Sequence, residues 1–157
     1  MSNQINLSTP ESTIRLVAIA ILQYQDKFLM QLRDDIPMIV HPGVWTMFGG
    51  HLEIGENPEV GVRRELKEEI GYVPDRINFF HSYSDNHVVR HVFHGRLEVG
   101  LDRLELNEGW DMDLLSAEEI TRGEHYSARA LQSRPLAHSH RQIVLDFLSS
   151  SKSRINM

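Results

Sequence analysis

Gly50-His-Leu-Glu-Ile-Gly-Glu56 and, beyond a short spacer, Arg64-Glu65-Leu-Lys-Glu68-Glu69-Ile-Gly71-Tyr72 form the stretch from which the rest of the chain is read. Its second half is a helix with both ends marked. Asn57 is an N-capping residue type, Pro58 stands where a first-turn proline is tolerated, Gly71 supplies the terminating residue, and Pro74 blocks continuation. At about 100° per residue, Glu68 falls near −60° and Glu69 near +40° from Glu65, so three carboxylates share one arc of about 100°. Val62, Leu66 and Ile70 make an adjoining apolar stripe that suits docking on a sheet. Gly61 lies inside the acidic arc, where its missing side chain leaves room. Like charges at these spacings repel. The helix therefore either presents a solvated acidic face softened by Arg63, Arg64 and Lys67, or holds a hard cation through carboxylate oxygens.

Before this helix, Ile14 to Tyr24 is rich in β-branched and aliphatic residues, and a turn at Gln25-Asp26 leads into Lys27 to Arg33, the pattern of a β-hairpin. Asp34 to Gly43 contains two prolines and reads as a loop. A short strand follows around Val44 to Phe48, and Gly49 to Gly55 reads as a turn-rich approach to the helix. After it, Ile77 to Tyr83 and His87 to Val99 read as antiparallel strands joined around Ser84-Asp85-Asn86. Ser116-Ala-Glu-Glu119 is a capping-box pattern opening a short helix to about Arg122. Leu136 to Ser149 carries Ile143, Val144, Phe147 and Leu148 at amphipathic helical spacing. This order predicts an α/β domain in which helices cover a mixed β-sheet. The domain is expected over 13–150, between a loose N-terminal segment at 1–12 and a loose tail at 151–157.

Composition narrows the function classes. A formal net charge of −6 argues against a duplex-binding surface, since affinity for nucleic-acid polymers comes from Lys and Arg neutralising phosphates. It leaves open a small phosphorylated ligand, because a bound divalent metal inverts the local field. The chain has no cysteine, which excludes disulfides, thiolate nucleophiles and cysteine-ligated metals. Leu16 to Leu22, the longest apolar run, is too short to span a bilayer, and the polar first residues lack signal-peptide features. The expectation is a cytoplasmic protein, monomeric or homodimeric, that acts away from membranes.

The spacing of the opening stretch resembles the Nudix box, G-x5-E-x7-R-E-U-x-E-E-x-G-U, where U is a bulky aliphatic. Gly50, Glu56, Arg64, Glu65, Leu66, Glu68, Glu69 and Gly71 occupy its specified positions, and Tyr72 alone departs, at a packing position usually held by Ile, Leu or Val. The early hairpin, the Trp45 to Gly50 approach, and a late strand, loop and helix also follow the family's order. The resemblance implies an α/β/α sandwich with Glu65, Glu68 and Glu69 as ligands of Mg²⁺ (or Mn²⁺), and the Gly49 carbonyl as a further one. Phe48 stands where the family often has proline before its paired glycines.

The same resemblance makes Arg64 the arginine that orients a carboxylate through a bidentate ion pair, with Glu56 as partner across the loop and Gly50 supporting the site. It points to an acidic residue on a later loop as ligand or base, for which Glu108 is preferred and Glu105 is the alternative. It makes Arg33 a phosphate-binding residue. Glu65, Glu68 and Glu108 are all candidates for the general base. The implied reaction is metal-dependent hydrolysis of a phosphoanhydride in a nucleoside diphosphate linked to another moiety: a nucleoside triphosphate such as an oxidised purine dNTP, ADP-ribose, or a nucleotide sugar. The competing reading is a non-catalytic Nudix-fold nucleotide-binding or sensor module.

Nine histidines are many for this length, and His81, His87, His91 and His94 fall in neighbouring strands. Alternation puts His87 and His91 on one face and His94 on the other. That pattern reads as exposed or hydrogen-bonded strand histidines rather than a zinc site. His51, after the paired glycines, stands where it can approach a phosphate. Trp110, in a Gly-flanked acidic loop, is expected to be exposed and available to stack on a substrate base.

Overall fold

β1 (Arg15–Tyr24) and β2 (Lys27–Leu32) form the expected hairpin in the computed structural model, which describes residues 13–155. The N-terminal segment 1–12 therefore lies outside the described residues, as do residues 156 and 157. β3 (Trp45–Thr46) and β4 (Phe48–His51) follow the loop, then α1 (Pro58–Ile70), β5 (Asn78–Ser84) and β6 (Val88–Arg96). A 3-10 turn at Leu101–Arg103 precedes β7 (Asp111–Leu115), α2 (Ala117–Arg122), β8 (Glu124–Ser127), β9 (Gln132–Pro135) and α3 (His138–Ile155).

Seven strands make one mixed sheet. β1 pairs with β6 in parallel and with β2 and β4 antiparallel; β2 pairs antiparallel with β3 and β7; β5 flanks β6 antiparallel. β1 meets β2 only at Gln23–Phe28 and Tyr24–Lys27, and farther along it pairs with β4 instead, while β2 pairs with β3. The two strands of the hairpin thus splay apart, and the segment from Trp45 to His51 fills the gap. The paired glycines lie inside β4, not in the turn expected of them. The physical reason is close approach: a Cβ on Gly49 (φ +142°) would strike the Ala18 carbonyl and the Ile19 backbone of β1.

Alternation along β1 sorts the core into two layers. Ile19 and Ile21 face α2 and α3 with Trp45, Ile120, Ile143, Val144 and Phe147, while Ala18, Ala20 and Leu22 face α1 with Val62, Leu66 and Ile70. The result is an α/β/α sandwich, with the apolar stripe of α1 fully buried. Burial of each of those three aliphatic side chains stabilises by roughly 1.5–3 kcal/mol. Both ends of α1 close as expected: Asn57 Oδ1 accepts the amides of Glu59 (2.8 Å) and Val60 (3.3 Å), and Gly71 (φ 68°) donates to the Lys67 carbonyl.

The β8–β9 hairpin and α3 also differ from expectation. The β8–β9 hairpin carries mostly polar residues, so no apolar period marks it although β8 alternates in burial, and side-chain bonds tie it to the rest of the fold. Trp45 Nε1 donates to the His125 carbonyl (3.1 Å), and Arg134 Nε donates to the Gly43 carbonyl (2.7 Å). α3 begins at His138 and runs to Ile155, past the expected stop at Ser149 and through most of the segment read as a tail. No proline or glycine lies in that stretch to end it.

Candidate active site

A cleft of about 290 Å³ opens where β1 and β2 diverge, at the small end of the range, roughly 300–1,000 Å³, typical of small-ligand sites. Two charged groups share it. Glu65 and Glu69 of α1 line it with Glu108 from the loop before β7, and Arg15, Arg33 and Arg90 line it with His41, His51 and His140. The carboxylates of α1 reach the cleft because β4 lacks side chains beside them. A Cβ on Gly50 would sit 2.6 Å from the Glu65 carboxyl carbon.

Arg64 braces this acidic group. Its Nε and Nη2 fork onto Glu56 (2.8 and 2.9 Å), the pair expected across the loop, while Nη1 donates to Glu65 (2.9 Å) and Nη2 to the His51 carbonyl (3.2 Å). The guanidinium and the Glu53 amide hold the Glu56 carboxyl down at about 2, so it stays ionised and keeps its grip. Gly61 makes room for the loop side of this brace, since a Cβ there would meet Leu52 and approach Glu56 Oε1 to 3.1 Å.

Glu69 is buried, 7% exposed, and accepts the Gly49 amide at 2.9 Å. Burial pushes its carboxyl up to about 8, against the pull of that hydrogen bond, and the charges of Glu65 and Glu108 add to the rise. Glu65 is raised for the same first reason, with Arg64 opposing and Glu68 and Glu108 adding. Buried carboxylates that hinder one another's ionisation are a donor set that a hard divalent cation completes, so their chemistry fits Mg²⁺ or Mn²⁺. The set is not drawn together in advance: among the described residues no three His, Asp or Glu side chains form a ready-made metal cluster.

The other residues singled out in the sequence fall in different places. Glu68 is outside the cleft lining, its side chain 60% exposed and 3.5 Å from Arg64 Nη1. Glu105 lies beside Gly71 at the end of α1, whereas Glu108 borders the cleft. Arg33 borders the cleft with its Nε on the Val40 carbonyl (3.0 Å). Trp110 does not line the cleft. It is half-buried against the α3-side core, and its amide donates to the Leu32 carbonyl, because β7 carries it in against β2. The strand histidines are dispersed: His91 Nδ1 bonds Ser82 Oγ (2.9 Å), His81 packs edge-on to Tyr83, and His94 tilts over Phe147.

His41, His140, Arg15 and Arg90 are cleft residues that sequence reasoning missed. His140 is buried in the first turn of α3, and its Nδ1 accepts the Met47 amide (3.0 Å) at the break between β3 and β4. Burial, then the charges of His41, Arg90 and Arg33, press its ring down to about 3, so it is neutral. His41 (φ 56°) packs edge-on against it at 5.4 Å between ring centroids. These residues are joined only by the parallel β1–β6 pairing and the docking of α3, and no local pattern connects them.

A profile of the NUDIX domain matches residues 13–147 of the chain. Nudix hydrolase 26, chloroplastic, of Arabidopsis thaliana is 39% identical over 64 residues, 41% of this chain and 27% of that protein. The 8-oxo-dGTP diphosphatase of Escherichia coli (strain K12) is 41% identical over 44 residues, 26% of this chain and 34% of that protein. The matched stretches thus span about a third or less of these relatives. The crystal structure of the MutT protein from Methanosarcina mazei Go1 superposes with a TM-score of 0.68 at 22% identity, covering 89% of this chain and 96% of that one, a likeness of fold.

Proposed function

This chain belongs to the NUDIX domain family, and from that footing we propose that it is a hydrolase acting on a phosphoanhydride in a nucleoside diphosphate linked to another group. The observation that carries the reading is the convergence of Glu65, Glu69 and Glu108 on one cleft, with Glu65 fixed by the Arg64–Glu56 fork. Nucleoside triphosphates such as oxidised purine dNTPs, ADP-ribose and nucleotide sugars are the substrate classes we assign. We place the protein in the cytoplasm, as a monomer or homodimer. No helix among the described residues is long and apolar enough to cross a membrane.

Glu65, Glu68, Glu69 and the Gly49 carbonyl would hold Mg²⁺ or Mn²⁺, which when bound draws charge from the attacked phosphorus and acidifies coordinated water. The chain's own residues do the rest. Arg64 orients Glu65, and Gly49 orients Glu69 through its amide. Arg33, whose one hydrogen bond among the described residues runs from Nε to the Val40 carbonyl, offers its Nη end to a phosphate oxygen. Glu108 is exposed at the cleft and has no hydrogen-bond or ion-pair partner among the described residues. Its carboxylate is thus uncommitted, and we assign it the proton from the attacking water, with Glu65 and Glu68 as the other candidates.

Against a sensor module stands the presence of every box carboxylate and of the arginine that braces them. Release of phosphate, pyrophosphate or nucleoside monophosphate from a panel of these substrates should require Mg²⁺ and cease with EDTA. No turnover of any substrate, together with unchanged metal binding in Glu68→Gln, would overturn the reading.

A further inference from the structure

The basic side of the cleft has a different character from the acidic one. Arg15 and Arg90 stand on β1 and β6, whose parallel register pairs Arg15 with Val88 and Val17 with Arg90, so the two arginines are diagonal neighbours on one face. Arg33 joins them from the end of β2, and all three line the cleft. Their charges converge on the ring of His41, which burial first, then Arg90, Arg33 and Arg15, keep below its usual value.

Their compensation within the protein is thin. Arg90 meets Asp85 at 3.3 Å. Arg15 donates only to the neutral acceptor His51 Nε2 (3.2 Å), and Arg33 only to the Val40 carbonyl, so neither has a carboxylate partner among the described residues. Nor do Arg15 and Arg90 pair with the α1 carboxylates: Arg64 bridges Glu65 and Glu68, and Arg33 is the one arginine of the three whose charge bears on Glu69. The buried His140 adds a directed donor. Its Nδ1 is occupied by the Met47 amide, so the neutral ring carries its proton on Nε2, which has no hydrogen-bond partner among the described residues, and the residue lines the cleft. Convergent guanidiniums, an edge-on histidine and a fixed N–H make a receptor for oxygens bearing negative charge.

We infer that Arg15, Arg33, Arg90, His41 and His140 bind a second phosphate group of the substrate, one outside the anhydride that the carboxylate side engages. The inference rests on the hydrolase reading for what the ligand is, and on the cleft alone for where it binds. It narrows the substrate class to nucleotide derivatives with an additional phosphate, either farther along a polyphosphate chain or as a phosphomonoester on the other moiety.

The test begins without metal. The full-length protein in EDTA is titrated with inorganic phosphate by calorimetry. Binding is expected, weakened by added salt, and weakened at least about tenfold in Arg15→Gln and in Arg90→Gln. Arg15 is exposed, so that variant is expected to fold; Arg90→Lys, which keeps the charge and loses the fork, should fall between wild type and Arg90→Gln. Glu65→Gln should bind phosphate no more weakly than wild type. Substrate pairs then differ by one phosphate, a nucleoside tetraphosphate against a triphosphate and a dinucleotide with against without a ribose phosphate. A preference in kcat/KM that collapses in Arg90→Gln for either pair supports the site and identifies which phosphate it takes. Absence of metal-free phosphate binding, or binding unchanged in both glutamine variants, overturns it. Arginine-dependent phosphate binding without any turnover keeps this site and removes the hydrolase reading; turnover without such binding does the reverse.

Discussion

Gly50 governs the site by what it lacks. A methyl group there would press on the Glu65 carboxyl at 2.6 Å, yet its φ lies outside the left-handed region, so alanine is compatible with the backbone. Gly50→Ala is therefore expected to displace the carboxylate while leaving the fold in place. Metal-supported turnover should fall at least about tenfold, as for a misplaced catalytic group, with the melting temperature changed by only a few degrees. Loss of stability in proportion to activity would argue that Gly50 serves the strand instead. At this scale the sequence was informative where partners are close along the chain. Arg64, Glu56 and Glu65 belong to one loop and helix, and the resemblance of that stretch to the Nudix box was enough to pair Arg64 with Glu56. His140 and Met47 meet only through tertiary docking, and neither residue type announces the other.

Secondary structure was legible in proportion to how locally it is determined. α1 has a cap, a stop and an apolar period, and its bounds followed from them. β4 did not, because two successive glycines ordinarily mark a turn, and only the neighbouring β1 backbone shows that they are there for close approach. Gly49→Ala tests this at the element scale. It adds a side chain at φ +142° against the Ala18 carbonyl, and thermal unfolding should show a loss of at least about 2 kcal/mol. A value near zero would mean that β4 can shift off β1 without cost. β8 and β9 were unreadable for a related reason: their residues are polar, and their ties to the rest of the fold, from Trp45 to the His125 carbonyl and from Arg134 to the Gly43 carbonyl, join positions far apart in the chain.

Across the whole molecule, His125 ties three elements together. Its ring lies between Glu119 of α2 (2.6 Å) and Asp113 of β7 (2.7 Å), edge-on beneath Trp45. Burial alone would lower its pKa, but the two carboxylates outweigh burial and raise it above 6.5. A raised histidine contributes stability that is complete below its unfolded value and is lost as pH rises through the folded one. Asp113 and Glu119 are buried too, which alone would raise them. Hydrogen bonds and the His125 charge outweigh that and hold them below 3.8 and 4.5, so their contribution is lost as pH falls through those lowered values. The network is therefore worth most between about pH 4.5 and 6.5. The melting temperature should decline as pH rises above 6.5, by about 2–4 °C for each kcal/mol lost, and His125→Gln should flatten that decline. An unchanged slope in the variant would assign the pH dependence elsewhere.

The bond from the Met47 amide to His140 has a consequence for how the protein is made. Synthesis delivers the carboxylate helix by Ile70 and the β6 arginine by Arg90, but the wall that closes the cleft arrives only with the start of α3. Of the residues that line the cleft, His140 is the last in chain order, so every other lining residue precedes it. The cleft described above is therefore complete only once the C-terminal helix has docked its first turn against the β3–β4 break, well after the signature segment has been made.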